Sequence, residues 1–118
     1  RTGAARMLAG ADAAIVIIAN AEASDVWIED CSIAMANMHL MADSLGVGSC
    51  WIQGRLRTAT TADSGTASVT TEDYVRECLD FPEGYKLEAI LSLGMPAEEK
   101  TPAELSKLPF EKIHYEKF

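Results

Sequence analysis

SDVWIEDCSIAMANMHLMADSLGVGSCWIQG, residues 24–54, holds the longest periodic run in the chain. Apolar residues recur at Trp27, Ile28, Cys31, Ala34, Met35, Met38, Ala42 and Leu45, the three-and-four alternation of one helical face. A second set, Ile33, Asn37, Leu40, Met41 and Ser44, widens the apolar arc. Glu29, Ser32, Ala36, His39 and Asp43 remain as a polar stripe. A surface helix needs one apolar stripe, so this pattern predicts a helix packed on two sides, by its own sheet and by a second body, most economically a partner subunit. Ser24 reads as the N-cap, and Asp25, Glu29 and Asp30 complement the positive end of the helix dipole. Gly46 stands where a left-handed residue ends a helix. Beyond it Gly48, Ser49 and Cys50 are small enough to let another group approach the backbone.

Upstream, residues 13–20 form a continuous, largely β-branched run without alternation, as expected of a central strand buried on both faces. Strand, loop and helix in that order are of the α/β type. Residues 1–8 read like the last turns of a helix, and no initiating methionine precedes them. Downstream, residues 55–71 are rich in Thr, Ser and Ala without periodicity, and the expectation is a mobile surface loop. Residues 71–81 open a short helix with Tyr74, Val75, Cys78 and Leu79 inward. Residues 85–93, YKLEAILSL, alternate and then become wholly apolar, as in an edge-entering strand that crosses into a core. Residues 97–118 form an extended charged tail whose Phe110, Ile113 and Tyr115 need a groove or sheet edge to lie on.

At 118 residues the chain fits one domain. A net charge of -8 argues against a nucleic-acid or anionic-membrane surface, which needs clustered Lys and Arg. The three cysteines, Cys31, Cys50 and Cys78, form no C-x-x-C pair and suit a reducing cytosol better than a disulfide framework or a metal site. No apolar run is long enough to span a bilayer, and a cytoplasmic location is expected. A Rossmann reading fails because no G-x-G-x-x-G opens a helix after a strand.

The succession ADAAIVIIAN (11–20), DVWIEDCSIAMANMHLMADSLGVGSCWIQ (25–53), EDYVRECLDFPEGYKLEAILSLGMPAEEK (72–100) and KLPFEKIHYEKF (107–118) resembles the C-terminal part of the FMN-dependent nitroreductase family. The resemblance implies an α+β fold: a mainly antiparallel sheet flanked by helices, a long central helix that forms a homodimer, and a C-terminal tail extending to the partner subunit. It also implies FMN at the dimer interface. A ping-pong hydride transfer from NADH or NADPH through flavin N5 to a nitroaromatic, quinone or similar acceptor would follow. The flavin carries that chemistry, so no catalytic side chain is expected, in keeping with the absence of a Ser/His/Asp or Cys/His constellation.

By the same resemblance Ser49, Cys50, Trp51, Ile52, Gln53 and Gly54 line the isoalloxazine ring, with the Gln53 and Gly54 amides near N5 and O4. Lys107 falls where the family places a basic residue on the FMN phosphate, with Lys100 a weaker candidate. Trp51 either flanks the ring or plugs the core, and Arg55 and Arg57 are either surface residues or a nucleotide-phosphate pair. His39 and His114 read as solvated or interfacial, and Cys50 is given no covalent role. The family's opening basic segment of R-x-S-x-R type and its S-x-x-N-x-Q-P-W-like stretch are not found in these residues, so the chain reads as an N-terminally truncated domain. The alternative is a non-catalytic dimerisation remnant without FMN.

Overall fold

A computed structural model describes residues 5–60 and 68–117. A 3-10 turn at Arg6–Gly10 leads into β1 (Ala13–Asn20), helix α1 (Trp27–Ser44) and β2 (Gly48–Gln53). Two short strands, β3 (Thr58–Thr60) and β4 (Ser68–Thr70), precede helix α2 (Thr71–Leu79), and β5 (Tyr85–Gly94) completes the elements of the core. Beyond β5 the tail holds two 3-10 turns, Leu105–Lys107 and Phe110–Lys112.

The main sheet has the order β1-β5-β2, with both outer strands antiparallel to β5. This is the α+β arrangement the resemblance implied, and not the parallel pairing suggested by strand, loop and helix alone. It also exchanges two strand assignments. The central strand is β5, buried from Leu87 to Ser92, whereas β1 pairs on one side and is exposed over its first three residues. Among the described residues the apolar run at 13–20 therefore lies at an edge of the sheet, covered on one face by α1 and on the other by Leu8 and the α2 side.

The sheet separates two cores. On the α1 side Cys31 and Met35 meet Ile17, Ala89 and Leu91, with Trp27, Met38 and Trp51 packed around them. On the α2 side Val75 and Phe81 meet Ile52, Leu87 and Ile90. Helix α1 starts at Trp27 and not at a Ser24 cap: Val26 occupies the cap position without a side-chain bond, while Ser24 Oγ accepts from Val26 N–H at 3.3 Å and approaches Asp30 at 3.4 Å. Its end follows the expected glycine stop. Gly46 has φ of 70°, Gly46 N–H donates to Asp43 O, and Val47 N–H donates to Ala42 O, which together satisfy the last carbonyls of the helix.

Segment 55–71 is not structureless throughout. Thr58–Thr60 and Ser68–Thr70 pair as an antiparallel ribbon, and Thr70 caps α2 by accepting Asp73 N–H at 3.0 Å. Residues 61–67, the middle of the expected mobile loop, lie outside the described residues. The radius of gyration, 17.4 Å, exceeds the roughly 13.5 Å of a compact domain this long. The tail accounts for part of this, since Leu105, Leu108, Phe110, Ile113 and Tyr115 are all exposed.

Helix α2 is fixed to β5 by Glu72. Its carboxylate accepts Leu87 N–H at 3.0 Å and pairs with Arg76 at 3.1 Å and Lys86 at 3.2 Å. Burial pushes the Glu72 pKa up, but hydrogen bonds from Leu87, Arg76 and Lys86, with the Lys86 charge, outweigh it and hold the carboxyl below its usual range. A depressed folded-state pKa stabilises the fold above the unfolded-state pKa, and that contribution is lost as pH falls through the folded value. Urea unfolding should therefore show stability declining below about pH 4.5 with a component that Glu72→Gln removes. The same variant should cost about 1–3 kcal/mol at neutral pH.

Candidate functional site: the open edge of strand β2

Six of the seven residues singled out as cofactor contacts are consecutive on β2 and its first following residue, and the sheet sorts them by parity. Gly54 N–H donates to Glu88 O at 3.1 Å, and residues 48–53 pair in register with 94–89. In an antiparallel ladder amides alternate between partner and open side, so Cys50, Ile52 and Gly54 turn their N–H groups to β5. Ser49, Trp51 and Gln53 turn theirs to the outer edge, where no described strand pairs with β2. Of the two amides the resemblance puts near the flavin, the sheet engages one and leaves the other open. The Gly54 amide is already bound within the sheet, while that of Gln53 faces out.

Side chains divide in the same way. Ile52 is buried in the α2-side core, so only its backbone is left to line a ring. The half-buried Cys50 directs its thiol to its neighbour's carbonyl, Sγ lying 3.7 Å from Trp51 O. Trp51, half-buried, packs on the α1-side core and donates its indole N–H to Gln53 Oε1 at 2.9 Å. Ser49 Oγ lies 2.8 Å from His39 Nδ1, so His39 is a half-buried link between α1 and β2 and not a solvated residue. Gly54 has no room for a side chain, because a Cβ would sit 2.6 Å from Leu87 Cδ2.

Lys107 stands apart from β2 in sequence and setting. It lies on the exposed tail with its ammonium 3.0 Å from Glu104, both side chains largely in solvent. Lys100 is likewise exposed, 3.8 Å from Glu98. Arg55 and Arg57 share a recess of about 490 Å³ with Trp27, Gly54, Thr58 and Lys86. Arg55 folds back over the Trp27 ring at 5.9 Å and towards Glu88 at 3.8 Å, while Arg57 bonds the Leu56 carbonyl at 3.3 Å.

The residue that reasoning from sequence missed is Glu88. A lone glutamate in YKLEAILSL read as the polar member of an alternating strand, yet it is 4% exposed beside Gln53 and Arg55. Burial, with the charges of Glu88 and Asp30, pushes the Cys31 thiol pKa up, which makes Cys31 a packing residue and not a nucleophile.

Comparison with known proteins gives this geometry its class. The Nitroreductase family model matches residues 1–95, and the chain belongs to that family. It is 34% identical to a "Putative NADH dehydrogenase/NAD(P)H nitroreductase" of Archaeoglobus fulgidus, aligned over 96% of this chain and 62% of the relative. An FMN-dependent nitroreductase of Clostridium difficile R20291 superposes with a TM-score of 0.78 at 44% identity, over 92% of this chain and 59% of that one. A nitroreductase with bound FMN from Desulfitobacterium hafniense DCB-2 shares the fold at a TM-score of 0.63 and 22% identity, over 95% of this chain and 54% of that one. The chain thus spans less than two thirds of each of these relatives. Among the described residues no helix is long and apolar enough to cross a membrane.

Proposed function

We propose that the protein is an FMN-dependent NAD(P)H oxidoreductase of nitroreductase type, working as a cytosolic homodimer in which β2 supplies one wall of the flavin site. The observation that carries this reading is the outward row of amides at Ser49, Trp51 and Gln53 on an edge that no described strand covers. Such a row of fixed donors fits a flat heterocycle rich in acceptor atoms, and it is pre-organised because the opposite side of β2 is held by β5. The chemistry that FMN would supply there is hydride acceptance from NADH or NADPH and electron transfer to a nitroaromatic, quinone or similar acceptor.

The chain's own contribution is binding and orientation. The Gln53 N–H lies at the end of the row, where it would hold an acceptor atom of the heterocycle, and Trp51 keeps the strand seated against α1. Lys107, on a tail whose apolar residues are uncovered within one chain, is assigned to the cofactor phosphate across the dimer. The free cysteines Cys31, Cys50 and Cys78 are consistent with a reducing compartment.

The test is an FMN titration of the intact polypeptide that carries these residues. Flavin fluorescence is expected to quench to one equivalent per subunit, and the bound flavin's visible band to bleach when NADH or NADPH is added without oxygen. A protein that leaves FMN fluorescence unchanged at every concentration is the dimerisation remnant and not the enzyme.

A further inference from the structure

Glu88 is the one ionisable side chain in the buried stretch of the central strand, and its place there has a backbone cause. Across the β1 pairing Ile17 stands opposite Ala89 and Ile18 opposite Leu87, so Glu88 is passed over as the extra residue of a β-bulge. The bulge lets Leu87 join Ile90 in the α2-side core while Ala89 and Leu91 serve the α1 side. At the same point the Glu88 carbonyl takes the N–H groups of Gly54 at 3.1 Å and Arg55 at 2.8 Å, and Gln53 Nε2 at 3.4 Å.

The carboxylate continues this hold on the end of β2. Its Oε1 lies 3.5 Å from Gln53 Nε2, and its Oε2 faces Arg55 Nε at 3.8 Å, beyond hydrogen-bond reach, leaving that buried oxygen without a hydrogen bond among the described residues. Gln53 Nε2 also reaches Arg55 O at 3.4 Å, and Gln53 Oε1 receives the Trp51 indole N–H. The Gln53 side chain is thereby occupied entirely inside the protein. A buried carboxylate with incomplete partners is an expensive way to fill a core position, and the strand fills its neighbouring positions with Leu87, Ala89, Ile90 and Leu91. What it supplies that leucine cannot is a fixed orientation for the two residues facing it.

We propose that Glu88 is the positioning residue of this site, a buried bulge carboxylate that locks Gln53 and Arg55 so that the end of β2 presents its outward amide in one orientation. Its consequence for the cofactor rests on the FMN reading, but the positioning itself does not. The experiment therefore begins without FMN. Glu88→Leu and Glu88→Gln are compared with the parent by amide hydrogen exchange and by the Trp51 indole N–H resonance, with Ala89 and Leu91 amides as controls for the sheet.

In Glu88→Leu the Arg55 and Gly54 amides should exchange roughly tenfold faster or more and the indole resonance should move, while the control amides keep their protection. Glu88→Gln retains an acceptor for Gln53 and should restore the indole resonance without restoring Arg55. FMN is then added, and Glu88→Leu should bind it about tenfold more weakly than the parent. Unchanged exchange at Gly54 and Arg55 in both variants overturns the proposal, as does loss of protection spread evenly over the sheet in both. A parent that takes no FMN defeats the cofactor reading and leaves the exchange result to decide the positioning.

Discussion

Replacing Leu40 and Met41 together by aspartate is expected to turn the proposed homodimer into a folded monomer, raising the dissociation constant of that dimer about a thousandfold or more. Helix α1 buries Cys31, Met35 and Ala42 against its own sheet but leaves Ile33 61%, Leu40 70% and Met41 61% exposed in the single chain. Ile33, Asn37, Leu40, Met41 and Ser44 fall on one stripe of the helix, away from the buried side. Apolar side chains aligned in this way mark an interaction surface. In a two-fold interface each substitution appears twice, so the variant brings four carboxylates into one desolvated patch, a penalty of several kcal/mol. Because these side chains contribute little to the monomer's core, secondary structure should persist. Sedimentation or light scattering reads the outcome, and an unmodified protein that already runs as a monomer contradicts it.

The second large effect is on stability. Leu91→Ala should lower unfolding free energy by about 2–5 kcal/mol, seen as a reduced denaturant midpoint at nearly unchanged slope. Leu91 is fully buried at the centre of β5, opposite Ile15 on β1 and Trp51 on β2, and it packs in the cluster with Met35 and Ile17. Truncation opens a cavity where three elements meet, and none can close it without giving up its register. Met35→Leu, at an equally buried position, nearly conserves volume and should cost less than about 1.5 kcal/mol. If both variants lose the same stability, burial at this junction is not what holds the sheet to α1.

Much of the fold was legible because its signals are local. The periodicity of residues 27–45 located α1, and Gly46 marked its end, since a left-handed turn is a single-residue requirement. Strand roles were not legible. An unalternating apolar run describes any strand covered on both faces, and the run at 13–20 carries that pattern as an edge of the sheet formed by the described residues, whereas the centre, β5, begins with Tyr85 and Lys86 and contains Glu88. Burial in a central strand comes from neighbours far away in sequence, which no window of residues reports.

The candidate site was named in the sequence as a segment, and its geometry was not legible there. The resemblance pointed to residues 49–54 as cofactor contacts, yet which amides face outward depends on the register with β5, and one residue of slip would invert the set. Likewise the turn of Arg55 towards Glu88 and Trp27 follows from a bulge 33 residues downstream, at a glutamate whose alternation alone suggested solvent. His39 read as part of a polar stripe because helix position says nothing about a serine on the adjacent strand.

Whether the open edge of β2 meets the flavin is read directly by repeating the FMN titration while following backbone amide resonances along that strand. The N–H signals of Ser49, Trp51 and Gln53 are expected to move on FMN binding, with Gln53 moving most, while that of Gly54, bonded to Glu88 O, stays protected from exchange with and without cofactor. Bound flavin that leaves all three odd-numbered amides unmoved would contradict this expectation.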